Sequence, residues 1–154
     1  MKLYAKIFSG IVIPITLFAC GTIYFNSRKQ LSLAEEWIIA RYMETGQFIT
    51  GYISDNYTDL SMVAESLNRM SRRESFLFWR LRGPENSSIQ GGDPSVLEAV
   101  AGLDRTHPER NSCGEKVVLN KDTGCGVYDR VFQIDGEQYH FQLVFSLEIG
   151  RAHV

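Results

Sequence analysis

Residues 7–25 read IFSGIVIPITLFACGTIYF, 19 positions without a charge. A helix needs about 20 apolar residues to cross a hydrocarbon core of about 30 Å. Lys2 and Lys6 precede the run and Arg28 and Lys29 follow it, with Tyr4, Tyr24 and Phe25 near its ends. Amphipathic rings favour the membrane–water boundary. Pro14 lies mid-run, where a bilayer helix tolerates it if neighbours satisfy the freed carbonyl. An uncleaved anchor fits these features best. A cleaved secretory leader calls for a shorter apolar core and a small-x-small cleavage site. Leu17-Phe18-Ala19-Cys20 suggests a lipoprotein signal, but Phe18 is a poor residue there and residues 21–25 stay apolar. The plainer place for Cys20 is inside the span, as a small apolar residue. Two basic residues on each side leave the positive-inside count tied.

Charge separates this segment from the rest. Four of the 16 basic residues and none of the 18 acidic ones fall in the first 30, which leaves 12 basic against 18 acidic beyond. A plain cytosolic globule is a poor fit to that asymmetry, and an overall charge of -2 gives no footing for nucleic acid. The expected organisation is a basic flank at 1–6, a membrane helix at 7–25, a helical region at 26–73 and a sheet region at 74–148.

Beyond the span, Leu31, Ala34, Ile38, Tyr42, Thr45, Ile49, Ile53, Tyr57, Leu60, Val63, Leu67 and Met70 recur at steps of three and four. That is the apolar stripe of a helix packed on a partner. About forty helical residues would reach about 60 Å, longer than a small domain. A break is therefore expected, and Ser54-Asp55-Asn56 is its best site, because such side chains cap and turn. One helix over 27–53 and another over 57–71 follow. The first either transmits a displacement out of the membrane as a rod or merely props the domain on its anchor.

The second half is strand-rich. Phe76-Leu77-Phe78-Trp79-Arg80-Leu81-Arg82, ending at Gly83-Pro84, predicts a strand with a return over 87–90. Gly91-Gly92-Asp93-Pro94 reads as a loop, and Asp93 or Ser95 caps a short helix through Val100. Residues 102–115 lack periodicity. Strands are expected over 115–120, 126–134 and 138–147, the last two joined by the Asp135-Gly136 signal of a two-residue hairpin. The fold class is α+β, with an antiparallel sheet packed on helices.

A membrane helix, a long amphipathic helix, FLFWRLRGPENSSIQGGDP and VYDRVFQIDGEQYHFQLVFSLE together resemble the extracytoplasmic PAS-like or Cache-like sensor regions of bacterial transmembrane receptors. The resemblance spans about residues 7–148 and rests on pattern and order. It implies a bacterial inner-membrane protein with its domain outside the cytosol, pairing as a homodimer through the long helix. It further implies a second span and an output domain, most often a histidine kinase, otherwise a diguanylate cyclase or chemoreceptor. No output motif is present. The contrasting reading is a membrane-tethered or lipoprotein domain that binds a partner and signals nothing. Ile149-Gly150-Arg151-Ala152-His153-Val154 reads as the translation of a common sequencing adapter, so residues 149–154 are expected to be foreign to the natural chain, and the natural chain to continue.

No catalytic motif and no cofactor signature is found: neither G-x-S-x-G, nor H-E-x-x-H, nor a phosphate-binding loop occurs. Cys113 and Cys125 flank the strand at 117–119 and form either a disulfide in an oxidising compartment or two buried thiols. A metal site from those cysteines with His107 and Glu109 or Asp104 matches no standard spacing. Arg80, Arg82 and Arg130 lie on strands, Arg80 and Arg82 on a face with Phe76 and Phe78, and Arg130 on one with Tyr128 and Phe132. With Trp79, Tyr128, Tyr139 and His140 they form a candidate pocket for a small anionic ligand, since guanidinium groups grip carboxylate or phosphate bidentately. The plainer alternative pairs the arginines with Glu74, Glu85, Asp129 and Asp135 and places the aromatic rings in the core.

Overall fold

The computed structural model describes residues 2–73, 76–101 and 114–147. Helix α1 spans Lys2–Asn56. The chain divides into two units, Met1–Ile38 and Ile39–Val154.

In the first unit, α1 shows apolar side chains on every side. Ile11, Ile13, Leu17, Phe18, Ile23 and Phe25 are all exposed, Phe18 at 79%. Among the described residues, α1 is the one helix long and apolar enough to cross a membrane. Pro14 stays within it, although it lacks the amide that would bond the Gly10 carbonyl. Thr16 and Thr22 turn their hydroxyls inward, donating to the Val12 and Phe18 carbonyls at 2.8 Å each. The Arg28 guanidinium sits 5.3 Å from the centre of the Tyr24 ring.

In the second unit, α1 continues to Asn56 and α2 spans Leu60–Arg73. The expected break at residues 54–56 falls later, at residues 57–59. Ser54 and Asn56 do not interrupt the helix, because each bonds back along it, to the Thr50 and Tyr52 carbonyls at 2.9 Å. Asp59 is the cap of α2: its Oδ1 accepts from the Met62 amide at 3.0 Å and the Ser61 hydroxyl at 2.7 Å. The stripe read from the sequence turns inward here, with Tyr42, Ile49, Ile53, Val63 and Leu67 buried. Tyr52 and Ser66 join the two helices through a 2.9 Å hydroxyl bond.

Among the described residues five antiparallel strands follow: β1 (Phe76–Arg82), β2 (Ser88–Gly92), β3 (Glu115–Asn120), β4 (Cys125–Ile134) and β5 (Glu137–Ser146). Their spatial order is β2-β1-β5-β4-β3. The short helix α3 (Ser95–Ala101) lies between β2 and β3 in the chain, with Asp93 Oδ1 accepting from the Ser95 amide and hydroxyl at 2.9 and 2.7 Å. Asp135 and Gly136 turn β4 into β5 with positive φ at both positions, 52° and 84°, as a type I′ hairpin requires. Gly91 and Gly92, expected in a loop, instead complete β2 opposite Trp79 and Phe78. A side chain would not fit: a Cβ at Gly91 would strike the Trp79 indole, and one at Gly92 the Leu77 carbonyl.

One face of the sheet meets the helices. Tyr42 stacks on Phe145 with ring centres 3.4 Å apart. Tyr128 presses on Gly46, where a Cβ would overlap its ring, and Trp79 Nε1 donates to Asn68 Oδ1 of α2 at 3.2 Å. Trp79, Leu81, Tyr128, Phe141, Leu143 and Phe145 are all buried, each contributing on the order of 2–3 kcal/mol through apolar burial. On the opposite face Phe78, Val127 and Val144 form a second small core against Val96 and Leu97 of α3. A register shift between Phe76 and Phe78 pairs Phe76 with Phe145 and Phe78 with Val144. Phe76 therefore does not share a face with Phe78, Arg80 and Arg82; a bulge reverses the alternation there.

Candidate ligand-binding face

Side chains alternate across a sheet, and this separates the seven residues expected to line one pocket. Arg80 lies opposite Gln142, and Gln142 opposite Asp129, itself opposite Lys116. Arg82 lies opposite His140. These form two adjacent polar rows on the face away from α1. Trp79, Tyr128, Arg130 and Tyr139 belong to the other face. The structure thus brings Arg80, Arg82 and His140 together and leaves the other four in the helix-facing layer.

Those four have structural partners. The Trp79 and Tyr128 rings are core. Tyr139 stacks on Phe132 with centres 5.9 Å apart and lines a shallow hollow with Leu60, Leu81, Gly83 and Ile89. Arg130 Nη1 donates to Thr50 Oγ1 at 2.6 Å and meets Glu115 Oε1 at 2.8 Å. Glu115 is buried and also accepts from Gln47 Nε2 at 3.0 Å and the Tyr128 hydroxyl at 3.4 Å. Burial, then the Glu115 charge, pushes the Tyr128 phenol up to about 12. This network ties α1 to β3 and β4.

The outward polar rows are organised by Asp129. Gln142 Nε2 donates to its Oδ2 at 3.0 Å, and its Oδ1 lies 3.0 Å from His140 Nε2. Gln142 Oε1 in turn accepts from Arg80 Nη2 at 2.7 Å. Burial works against the Asp129 carboxylate, but the hydrogen bonds from His140 and Gln142 and the charges of His140 and Lys116 outweigh it. Its pKa is lowered from 3.8, so it is ionised at neutral pH. Arg80 is held partly out of water and next to Arg82, both of which lower its pKa from 12.5 without discharging it. Its Nε is buried without a hydrogen-bond partner. One carboxylate, Asp129, thus stands in these rows with the basic side chains Arg80, Arg82 and Lys116. Arg82 is exposed and His140 is 29% exposed, so solvent reaches the row.

Asp129 and Gln142 were not among the residues singled out as a site. The signal was present: the two-residue hairpin pairs Ile134 with Glu137, and counting outward from it sets Gln142 against Asp129. Cys125 is half-buried, with Sγ 3.5 Å from the Thr123 carbonyl. Cys113 lies outside the described residues, as do Asp104, His107 and Glu109, so the expected disulfide and the alternative metal set fall outside them too. The molecule is an α+β protein with a long apolar N-terminal helix and a five-stranded antiparallel sheet. No protein family, curated protein or solved structure matches the chain.

Proposed function

We propose that this chain is the membrane-anchored, extracytoplasmic sensing region of a bacterial signal-transduction receptor, of the PAS-like or Cache-like kind, and that its ligand is a small anion held at the Arg80–Arg82–His140 face. The observation that carries the reading is α1 itself: one helix holds the exposed apolar surface from Ile11 to Phe25 and the buried Tyr42, Ile49 and Ile53. A helix apolar all round belongs in a protein core or in lipid, and this stretch is not in a core. As the resemblance to such receptors implies, the acidic remainder lies outside the cytosol. The chain pairs with a second copy through α1, and the output domain is a histidine kinase. A ligand acts on such a device only by binding one arrangement of the helices better than another.

Fusions after Leu147 test the topology. Alkaline phosphatase folds only in an oxidising compartment, and green fluorescent protein exported unfolded stays dark. An active phosphatase fusion and a dark fluorescent one, both in the membrane fraction, are expected. The opposite pair, or a chain in the cytosolic fraction, overturns the proposal. Arg80→Ala tests the ligand face: it should abolish anion binding, whereas Arg130→Ala, on the far side of the sheet, should affect mainly stability.

A further inference from the structure

We propose that anion binding at this face is coupled to uptake of one proton by His140, with Asp129 as the residue that positions the ring; this rests on the reading of the face as an anion site. An ionised carboxylate can only accept hydrogen bonds. The 3.0 Å contact with Asp129 Oδ1 therefore requires the hydrogen on Nε2 of His140. In the neutral ring the lone pair is then on Nδ1, and no described residue bonds that atom. A neutral His140 offers an arriving anion a lone pair, which repels it. A protonated one offers an N–H donor and a further positive charge. The proton comes from solvent, binds Nδ1 and breaks no existing bond.

The groups facing the ring set the balance. Arg82 lies directly opposite on β1 and Arg80 diagonally, Asp129 faces it from β4, and Lys116 stands beyond Asp129 on β3. Its own strand adds only the uncharged Gln138 and Gln142 on that side. Around the empty site stand three cations and the Asp129 carboxylate, with Glu85 in the turn at residues 84–86 that packs against β5. A bound anion adds negative charge beside the ring and so favours the proton. Linkage is reciprocal: if the anion favours the proton, the proton favours the anion by the same factor. The face would then report anion concentration and acidity as one combined signal.

The test uses the full chain in nanodiscs of zwitterionic lipid, with sulfate as the probe, because its charge is constant between about pH 5 and 8, the range in which imidazoles titrate. Calorimetry in two buffers of different ionisation enthalpy counts protons taken up per sulfate. The wild type should take up protons with sulfate, at most one per sulfate, and its affinity should rise by up to about tenfold for each pH unit of acidification. His140→Gln keeps an N–H for Asp129 and should bind sulfate weakly, with no pH dependence and no buffer-dependent heat. Wild-type binding without proton uptake overturns the coupling and leaves the anion site standing, as does a His140→Gln protein that retains the pH dependence. Absence of sulfate binding at every pH overturns the anion site and the coupling together. The buffer comparison on the wild type decides the matter even if the variant folds poorly.

Discussion

Arg130 meets Glu115 at 2.8 Å on the helix-facing side of the sheet, and the same guanidinium nitrogen donates to Thr50 of α1 at 2.6 Å. Thr50 and Arg130 lie 80 residues apart. The pair fixes where α1 rests on β3 and β4.

Removing Arg130 alone should be far worse than removing both members. The Glu115 side chain is 4% exposed and that of Arg130 is 26% exposed. Arg130→Met strands a buried carboxylate and should cost about 3–5 kcal/mol. Glu115→Leu should cost less, since a quarter-exposed guanidinium can turn to water. Arg130→Met with Glu115→Leu should recover most of the loss, because an apolar pair of similar volume carries no desolvation penalty. Urea unfolding of the three variants, followed by near-ultraviolet circular dichroism, gives the cycle.

Two glycines of α1 should respond oppositely to the same change. A Cβ at Gly46 would overlap the Tyr128 ring, whereas nothing lies within 4 Å of one at Gly51. Gly46→Ala should destabilise by about 1–3 kcal/mol through overpacking. Gly51→Ala should stabilise by about 0.4–1 kcal/mol by restricting the unfolded chain. Thermal unfolding of the two variants side by side distinguishes them by sign.

Acid and alkali should loosen different layers. Asp129 has a folded-state pKa below its ordinary 3.8, so its contribution is complete above that value and is lost as pH falls through the lowered one. Asp129→Asn should flatten the acid limb of the stability profile. Tyr128 runs the other way. Its phenol is raised from 10.0 to about 12, so its contribution is complete below 10.0 and is lost as pH climbs towards 12. Tyr128→Phe should remove one late step of the tyrosinate absorbance titration.

Ile15 is 62% exposed in the middle of the apolar run. On the proposed topology, Ile15→Arg would place a cation near the bilayer centre, at a cost of about 2.5–3.5 kcal/mol on insertion scales. The chain should shift from the carbonate-resistant membrane fraction to the soluble or aggregated one, whereas Arg82→Ala should leave fractionation unchanged.

Much of the fold was legible wherever local chemistry and tertiary packing agree. Aromatic density and the Gly83-Pro84 stop bounded β1, and Asp135-Gly136 located the hairpin. The helix break was misplaced because Ser54 and Asn56 can satisfy their side chains within a helix as readily as outside one, and only Asp59 faces free amides. Gly91 and Gly92 looked like a loop because their reason for being glycine, the Trp79 indole and the Leu77 carbonyl, lies on another strand. The placing of the candidate site residues on the two faces was half legible. Neighbours such as Trp79 and Arg80, or Tyr139 and His140, must point to opposite faces of a regular strand, so alternation alone divides the expected pocket. The bulge at Phe76–Phe78 has no such local mark, and it moved Phe76 to the other side.

The strand order carries a consequence for biosynthesis. β5 pairs with both β1 and β4, yet residues 83–136 separate it from β1. A ribosome that has released only the first 134 residues has made both outer ladders while the strand that joins them is still in the exit tunnel. Docking of the two halves therefore waits for the last hairpin, and until then the edges of β1 and β4 that β5 will cover stay unpaired.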